Sequence, residues 1–407
     1  MMKGKKLALF SLASIPLVMT LGNSMLIPIL PIMEKEIKIS SFQSSLIITI
    51  YSIVAIILIP IAGYLSDKIG RKKVIIPSLI ITGAGGLLSA YAAWNMTDPY
   101  VMIMIGRFLQ GIGAAGAFPV VLPTVGDMFE DEKEVSAGLG IIETSNTFGK
   151  VLSPIVGALL AAFIWYLPFV FIPIFCLISI LLVWFLVKAP KEDAEKKDKT
   201  FHEFVQEVKQ TFADNGKWLI TVFIIGCLNM FILFGFLFHF STILEERFDL
   251  KGTWKGFVLA IPLLLLCVAS FAAGKKIGKN KLIMKWTIFA GNLIAAAGLV
   301  FINTNLSFVA LSVFLSVAGL GIGLSLPALD ALITEGLKKE VRGTITSLYS
   351  SMRFLGVAAG PPVIALMMGD YEKILYWFLT GLSVIAFLIT LFLIKPEPDK
   401  KPESIVS

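Results

Sequence analysis

The sequence predicts an all-α membrane protein whose twelve transmembrane helices form two pseudo-symmetric six-helix bundles. Three observations carry this fold class. Of 407 residues, 57% are apolar and only 15% charged, where soluble domains carry about a quarter of their residues charged. Apolar runs of about 20 residues or more recur from end to end, each long enough to cross a hydrocarbon core of about 30 Å as a helix. Glycines and prolines of the first half return in the second half at a nearly constant offset. Helix is the required form because lipid offers no partner to an open backbone, and the polar–apolar alternation of barrel strands is absent.

The spans read, in order, as 7–31, 43–65, 74–94, 100–127, 135–160, 164–187, 218–244, 254–274, 282–303, 305–335, 342–368 and 371–394. The first follows Lys3, Lys5 and Lys6, and its apolar core exceeds that of a secretory signal, so it is read as retained. Gly22, Asn23, Pro28 and Pro31 inside it predict a kinked helix that lines a cavity. The second span ends in the basic loop Gly63-Tyr-Leu-Ser-Asp67-Lys-Ile-Gly70-Arg71-Lys72-Lys73. The fourth carries Arg107, the fifth Glu143 and Lys150, the tenth Asp330 and the eleventh Arg353. The seventh is rich in aromatics over Phe231–Phe240. Lysine and arginine crowd into loops on the side of the N-terminus, which places both termini in the cytoplasm. Trp94, Trp165, Trp218, Trp254 and Trp286 fall near span ends, as an interfacial belt does.

The organisation that follows is an N-terminal bundle over 1–187, a cytoplasmic linker over 188–217, a C-terminal bundle over 218–394 and a cytoplasmic tail over 395–407. In the linker, Phe201, Phe204, Val205, Val208 and Phe212 recur at helical spacing and predict an amphipathic helix on the inner membrane surface. An offset of 208 carries Gly70 to Gly278, Gly111 to Gly319, Gly113 to Gly321, Pro119 to Pro327 and Asp127 to Glu335; one residue less carries Gly149 to Gly356 and Pro154 to Pro361. Two related bundles with a site between them are a transporter plan.

Several function classes are disfavoured. The net charge of +7 reflects the loop asymmetry and does not imply nucleic acid binding. Cys176, Cys227 and Cys267 lie inside spans without metal or redox spacing, and His202 and His239 stand far apart, so no metal site or cofactor is expected. No phosphate-binding glycine loop, H-E-x-x-H or G-x-S-x-G pattern appears, so neither ATP drive nor enzymatic activity is expected.

Three motifs refine the reading. In the basic loop, Gly63 allows close helix approach, Asp67 ends its helix, Gly70 permits a tight turn, and Arg71 has a natural partner in Asp127. In the fourth span, Arg107-Phe-Leu-Gln110-Gly111 places a guanidinium in hydrocarbon, where it requires a buried role unless it snorkels. In the fifth, Gly140, Gly149, Pro154 and Gly157 form a helix-packing pattern, repeated in the eleventh as Gly356, Gly360 and Pro361. Together these motifs resemble the major facilitator superfamily, and most closely its twelve-span drug:proton antiporter branch. The resemblance implies a cytoplasmic latch of Gly63, Asp67, Gly70, Arg71, Lys72, Asp127 and Glu335, a part for Arg107 in proton coupling, and export rather than import. Ser153 and Ala158 stand where the family pattern has glycine, and the second-half loop Gly274-Lys275-Lys276-Ile277-Gly278-Lys279 lacks the acid, which leaves lysines to pair with Glu335.

For coupling, Glu143 lies about nine residues into the fifth span, about 13 Å deep by helical rise. Asp330 is the second candidate, with Arg353 and Lys150 as charge partners. The resemblance leads one to look for an acid in the first or seventh span; none is there, only Asn23, Asn229 and His239. With Gln110, Asn146 and Phe234 these are the expected cavity residues. The expected function is export of lipophilic small molecules by proton antiport through alternating access, in the plasma membrane, as a monomer among lipids, with the proton as the only coupling species. An exporter of one secreted metabolite, such as a siderophore or pigment precursor, and a proton-coupled uptake symporter are the alternatives.

Overall fold

The structure, a computed structural model, describes residues 3–129, 132–187, 201–278, 280–303, 305–337, 339–369 and 372–395. The helices are α1 (Lys3–Ser24), α2 (Leu30–Glu36), α3 (Ser41–Ile69), α4 (Arg71–Asn95), α5 (Tyr100–Met128), α6 (Glu132–Phe163), α7 (Leu167–Leu186), α8 (Phe201–Glu246), α9 (Gly252–Ile277), α10 (Lys281–Val300), α11 (Phe308–Gly336), α12 (Lys339–Met367) and α13 (Glu372–Leu393). With α1 and α2 counted as one, twelve helices among the described residues are long and apolar enough to cross a membrane. The face carrying Lys3 and Lys395 is here the terminal face, and its opposite the far face.

The first span breaks where its prolines predict. Helix α1 ends at Ser24, a 3-10 turn covers Ile27–Ile29 with Pro28 at its start, and Pro31 sits in the first turn of α2. Proline tolerates these positions because the first turn leaves its N–H without a helical partner anyway.

The repeat in sequence is a repeat in packing. Helix α5 packs on α3 and α4, and α11 packs on α9 and α10. A Cβ at Gly111 would lie 2.5 Å from the Tyr51 carbonyl oxygen of α3, and one at Gly319 would lie 2.5 Å from the Pro262 carbonyl oxygen of α9. Gly149 meets Leu17 and Thr20 of α1, and Gly356 meets Cys227 and Phe231 of α8. Each pair makes one helix contact twice. The turn glycines also match in hand, Gly70 at φ +99° and Gly278 at φ +54°, a region closed to most side chains. The halves join along α3–α12 and α6–α9, which exchange under the same pseudo-symmetry.

Three expectations need correction. Residues 201–217 are no separate surface helix; they are the first turns of the 46-residue α8, which runs unbroken into the seventh span. Nothing between Phe201 and Trp218 stops a helix, since no proline intervenes and the single Gly216 is tolerated. The preceding linker, 188–200, and most of the tail, 396–407, lie outside the described residues. Gly140 is not a packing residue, because a Cβ there would meet nothing within 4 Å. Gly63 is not forced by contact either, for a Cβ would rest at an ordinary 3.7 Å from Ser347 Oγ of α12. The tryptophan belt holds in part: Trp94, Trp254 and Trp286 are exposed, whereas Trp218 packs against Gly336.

Candidate transport cavity

Between the halves lies a cavity. Its walls come from Met19, Thr20, Asn23 and Ser24 of α1, Tyr51 of α3, Phe118 of α5, Asn146 and Lys150 of α6, Met230 and Phe234 of α8, and Ser350, Arg353, Phe354 and Val357 of α12. A second, narrow and more apolar chamber continues toward the far face, lined by Ile27, Pro154, Leu233, Leu237, Leu259 and Leu263. Ser24, Lys150 and Phe234 border both chambers and therefore stand where one passes into the other. The break between α1 and α2 places Ser24 there, and Gly157, whose Cβ would lie 2.0 Å from the Met25 carbonyl oxygen, holds α6 against that break.

Of the expected cavity residues, Asn23, Asn146 and Phe234 line it, and Gln110, Asn229 and His239 do not. Asn229 is buried and donates to Ser325 Oγ at 3.0 Å, a hydroxyl it shares with Asn292. His239 is buried with Nδ1 2.9 Å from the Tyr376 hydroxyl of α13. Gln110 accepts from Arg107 one turn back on its own helix. The partners of Asn229 and His239 are non-local, and no spacing rule reveals them.

The ionisable residues predicted from the spans do come together. Arg353 donates to Asp330 across 3.4 Å. Glu143 accepts from Asn146 Nδ2 at 3.2 Å. Lys150 lies within electrostatic reach of Arg353, Glu143 and Asp330. Two acids and two cations thus share one region inside the membrane, where an ionisable group is otherwise costly.

Arg107 does not snorkel. It is fully buried, and its guanidinium donates to the Ile47 carbonyl oxygen at 2.9 Å, the Gly22 carbonyl oxygen at 3.2 Å, Gln110 Oε1 at 2.6 Å and Asn23 Oδ1 at 2.5 Å. The Tyr51 ring lies 4.5 Å beneath it. Every one of these hydrogen-bond partners is neutral. The residue ties α1 and α3 to α5, behind the wall that Asn23 and Tyr51 present to the cavity.

On the terminal face, Arg71 pairs with Asp67 at 2.5 Å and with Asp127 at 3.1 Å, and donates to Ser66. All four residues belong to α3, α4 and α5, so these bonds order one half rather than bridging two. Lys72 donates to the Trp184 and Val187 carbonyl oxygens and holds the end of α7. Glu335 forms no ion pair with a described lysine, so the second-half latch expected there is not formed among the described residues.

The far face holds a cluster that sequence reading missed. Glu245, at the end of α8, is ion-paired with Lys35 of α2 at 2.7 Å and with Lys255 of α9 at 2.9 Å. Lys255 also donates to the Pro28 carbonyl oxygen at 2.9 Å, and Ser241 donates to the Ile27 carbonyl oxygen at 3.0 Å. Glu245 and Lys255 are buried. Thr49 adds a bond to the Ala358 carbonyl oxygen at 2.7 Å. The C-terminal half is thereby fastened to the loop that closes the first span. The available signal was Lys255 itself, a cation in the first turn of an otherwise apolar helix.

Comparison with known proteins settles the family. The family model described as Major Facilitator Superfamily matches residues 12–361 and, in an overlapping second match, 284–406. The chain belongs to that superfamily. A bacillibactin exporter of Bacillus subtilis is 54% identical over 398 residues, 98% of each chain. The class E tetracycline resistance protein of Escherichia coli is 25% identical over 91% of each chain, and multidrug resistance protein 1 of Bacillus subtilis 23% identical over 96% of this chain and 97% of its own. Among solved structures, the human organic anion transporter TETRAN superposes with a TM-score of 0.75 at 16% identity, over 95% of this chain and 99% of that one, a likeness of fold. The superfamily member described here is a multi-pass membrane transporter with the efflux proteins among its relatives.

Proposed function

We propose that this transporter exports bacillibactin or a close chemical relative of it, by alternating access. The observation that carries the reading is identity of 54% over 98% of both chains with an exporter of that compound, against 23–25% with the drug and tetracycline resistance proteins. The predicted alternative, an exporter of one secreted metabolite, thus has more support than a broad drug pump. A gene deletion is expected to lower bacillibactin in culture supernatant several-fold by mass spectrometry while it accumulates in the cells, and the cloned gene is expected to restore secretion. Unchanged secretion in the deletion strain, with the drug sensitivity altered instead, would favour the drug pump.

In this reading the terminal face is cytoplasmic, as the loop lysines argue, and the protein sits in the plasma membrane with lipid as its solvent. It works as a monomer, since each chain contains both halves and the cavity between them. In this reading the bonds of Glu245 and Lys255 close the outer side.

The coupling species is the proton, and its carrier is Asp330, seconded by Glu143. Protonating Asp330 releases Arg353, the nearest event that changes charge on a cavity wall. One proton moving through about 150 mV supplies about 3.4 kcal/mol, enough for a few-hundred-fold gradient of a neutral substrate at about 1.4 kcal/mol per decade. Inside-out vesicles acidified within are expected to accumulate substrate with wild-type protein. Asp330→Asn is expected to lower that pH-driven uptake at least tenfold, with Glu143→Gln intermediate. Normal pH-driven uptake in both variants would remove these acids from the coupling step.

A further inference from the structure

We propose that Lys150 is the substrate-binding cation of the cavity and that it selects aromatic anions. This deepens the export reading above and rests on it for the direction of transport only.

The cavity walls are aromatic and cationic. Tyr51, Phe118, Phe234 and Phe354 supply ring surface, and Lys150 and Arg353 supply charge. No carboxylate is among the lining residues. Both nearby acids are turned to other partners, Asp330 to Arg353 and Glu143 to Asn146. That leaves a difference between the two cations. Arg353 is engaged by Asp330. Lys150 is only 8% exposed and makes no described hydrogen bond or ion pair.

A buried ammonium with no direct hydrogen-bond or ion-pair partner among the described residues is an expensive state, eased here only at longer range by Glu143 and Asp330, and such groups are normally found paired. Lys150 does not relieve it by pairing on its own helix, although Glu143 lies seven residues away, two turns along α6. Its place at the junction of the two chambers puts it in the path of anything that crosses. An incoming anion supplies the missing partner; an incoming cation meets like charge in a site of low dielectric. The rings add stacking surface and shape for a planar group. A flat, aromatic molecule bearing a carboxylate or an acidic phenol satisfies both features. An inside-negative potential also drives such an anion outward, in the same sense as the coupling proton.

The test uses a matched pair, 2-naphthoate and its neutral isostere 2-naphthamide, with equilibrium dialysis against purified protein in detergent. Wild-type protein is expected to bind the naphthoate about tenfold or more tightly than the amide, the scale of one charged hydrogen bond. Lys150→Gln is expected to bring the ratio near one, chiefly by weakening the naphthoate. Lys150→Arg is expected to keep most of the preference. A wild-type ratio near one, or a Lys150→Gln protein that keeps the wild-type ratio, would overturn the assignment and make Lys150 a counter-charge for Glu143. Retention of a folded Lys150→Gln protein is read from its elution volume and melting temperature. The bacillibactin secretion assay reports separately: secretion that fails to depend on the gene, alongside an intact naphthoate preference, would change the exported compound and leave the anion site standing.

Discussion

Arg107→Ala is expected to lose folded protein before it loses coupling. Removing the guanidinium strips the side-chain oxygens of Asn23 and Gln110 of their donor and withdraws bonds to Gly22 and Ile47. A buried acceptor left without a partner costs about 1–3 kcal/mol, more where the lost partner was charged. Two such side chains therefore imply a loss of about 3 kcal/mol or more. Part of it is geometric: α1 and α3 no longer share an anchor on α5, and the wall formed by Asn23 and Tyr51 loosens. Arg107→Lys keeps a charge but not the planar fork that reaches four oxygens at once, so it is expected to fall between alanine and wild type. Thermal melting and the monodisperse fraction in detergent measure this. A variant of full stability that has lost only pH-driven transport would instead give Arg107 the direct proton role that the family resemblance implied.

What could be read beforehand follows from where the information resides. Span positions rest on hydropathy, and the duplicate packing of Gly111 with Gly319 rests on small residues at a fixed offset; both are local or periodic signals. Glu143, Lys150, Asp330 and Arg353 stood out because hydrocarbon makes any ionisable residue conspicuous. Their pairing was not legible, and neither were the partners of Asn229 and His239, since Ser325 and Tyr376 lie 96 and 137 residues away. The unbroken α8 was missed for another reason. Charge and amphipathic pattern describe which side of a helix meets water, not whether the backbone continues, and only a stop signal between Phe201 and Trp218 would have separated the two elements. Gly140 shows the converse error: a glycine at a motif position is not a contact until a neighbour is there.

The far-face cluster is the strongest case of information held in tertiary structure, because Lys35 and Glu245 are 210 residues apart. Its energetics are asymmetric. Glu245→Leu leaves Lys255 buried with its charge uncompensated, a loss of about 3–5 kcal/mol by the behaviour of broken buried pairs. Lys255→Met leaves Glu245 still paired with the half-exposed Lys35, so it is expected to be milder. The double variant, Glu245→Leu with Lys255→Met, replaces the pair by apolar side chains of similar size and is expected to recover most of the melting temperature. Stability alone does not show that the cluster is a gate. A cysteine at Ser24, which borders both chambers, supplies the second readout. With the Glu245→Leu change, a membrane-impermeant maleimide applied to the far face is expected to label it about tenfold faster, because the fastening of Lys35 to the C-terminal half is gone, the Lys255 that holds Pro28 has lost its carboxylate, and the far-face-open state gains population. The double variant is expected to label as slowly as the parent yet transport more slowly, since an apolar seal has no charge to release when the halves rock. Labelling that stays slow in Glu245→Leu would make the cluster a structural brace, and the outer seal would then rest on the remaining contacts, the bonds of Ser241 to Ile27 and of Thr49 to Ala358 among them.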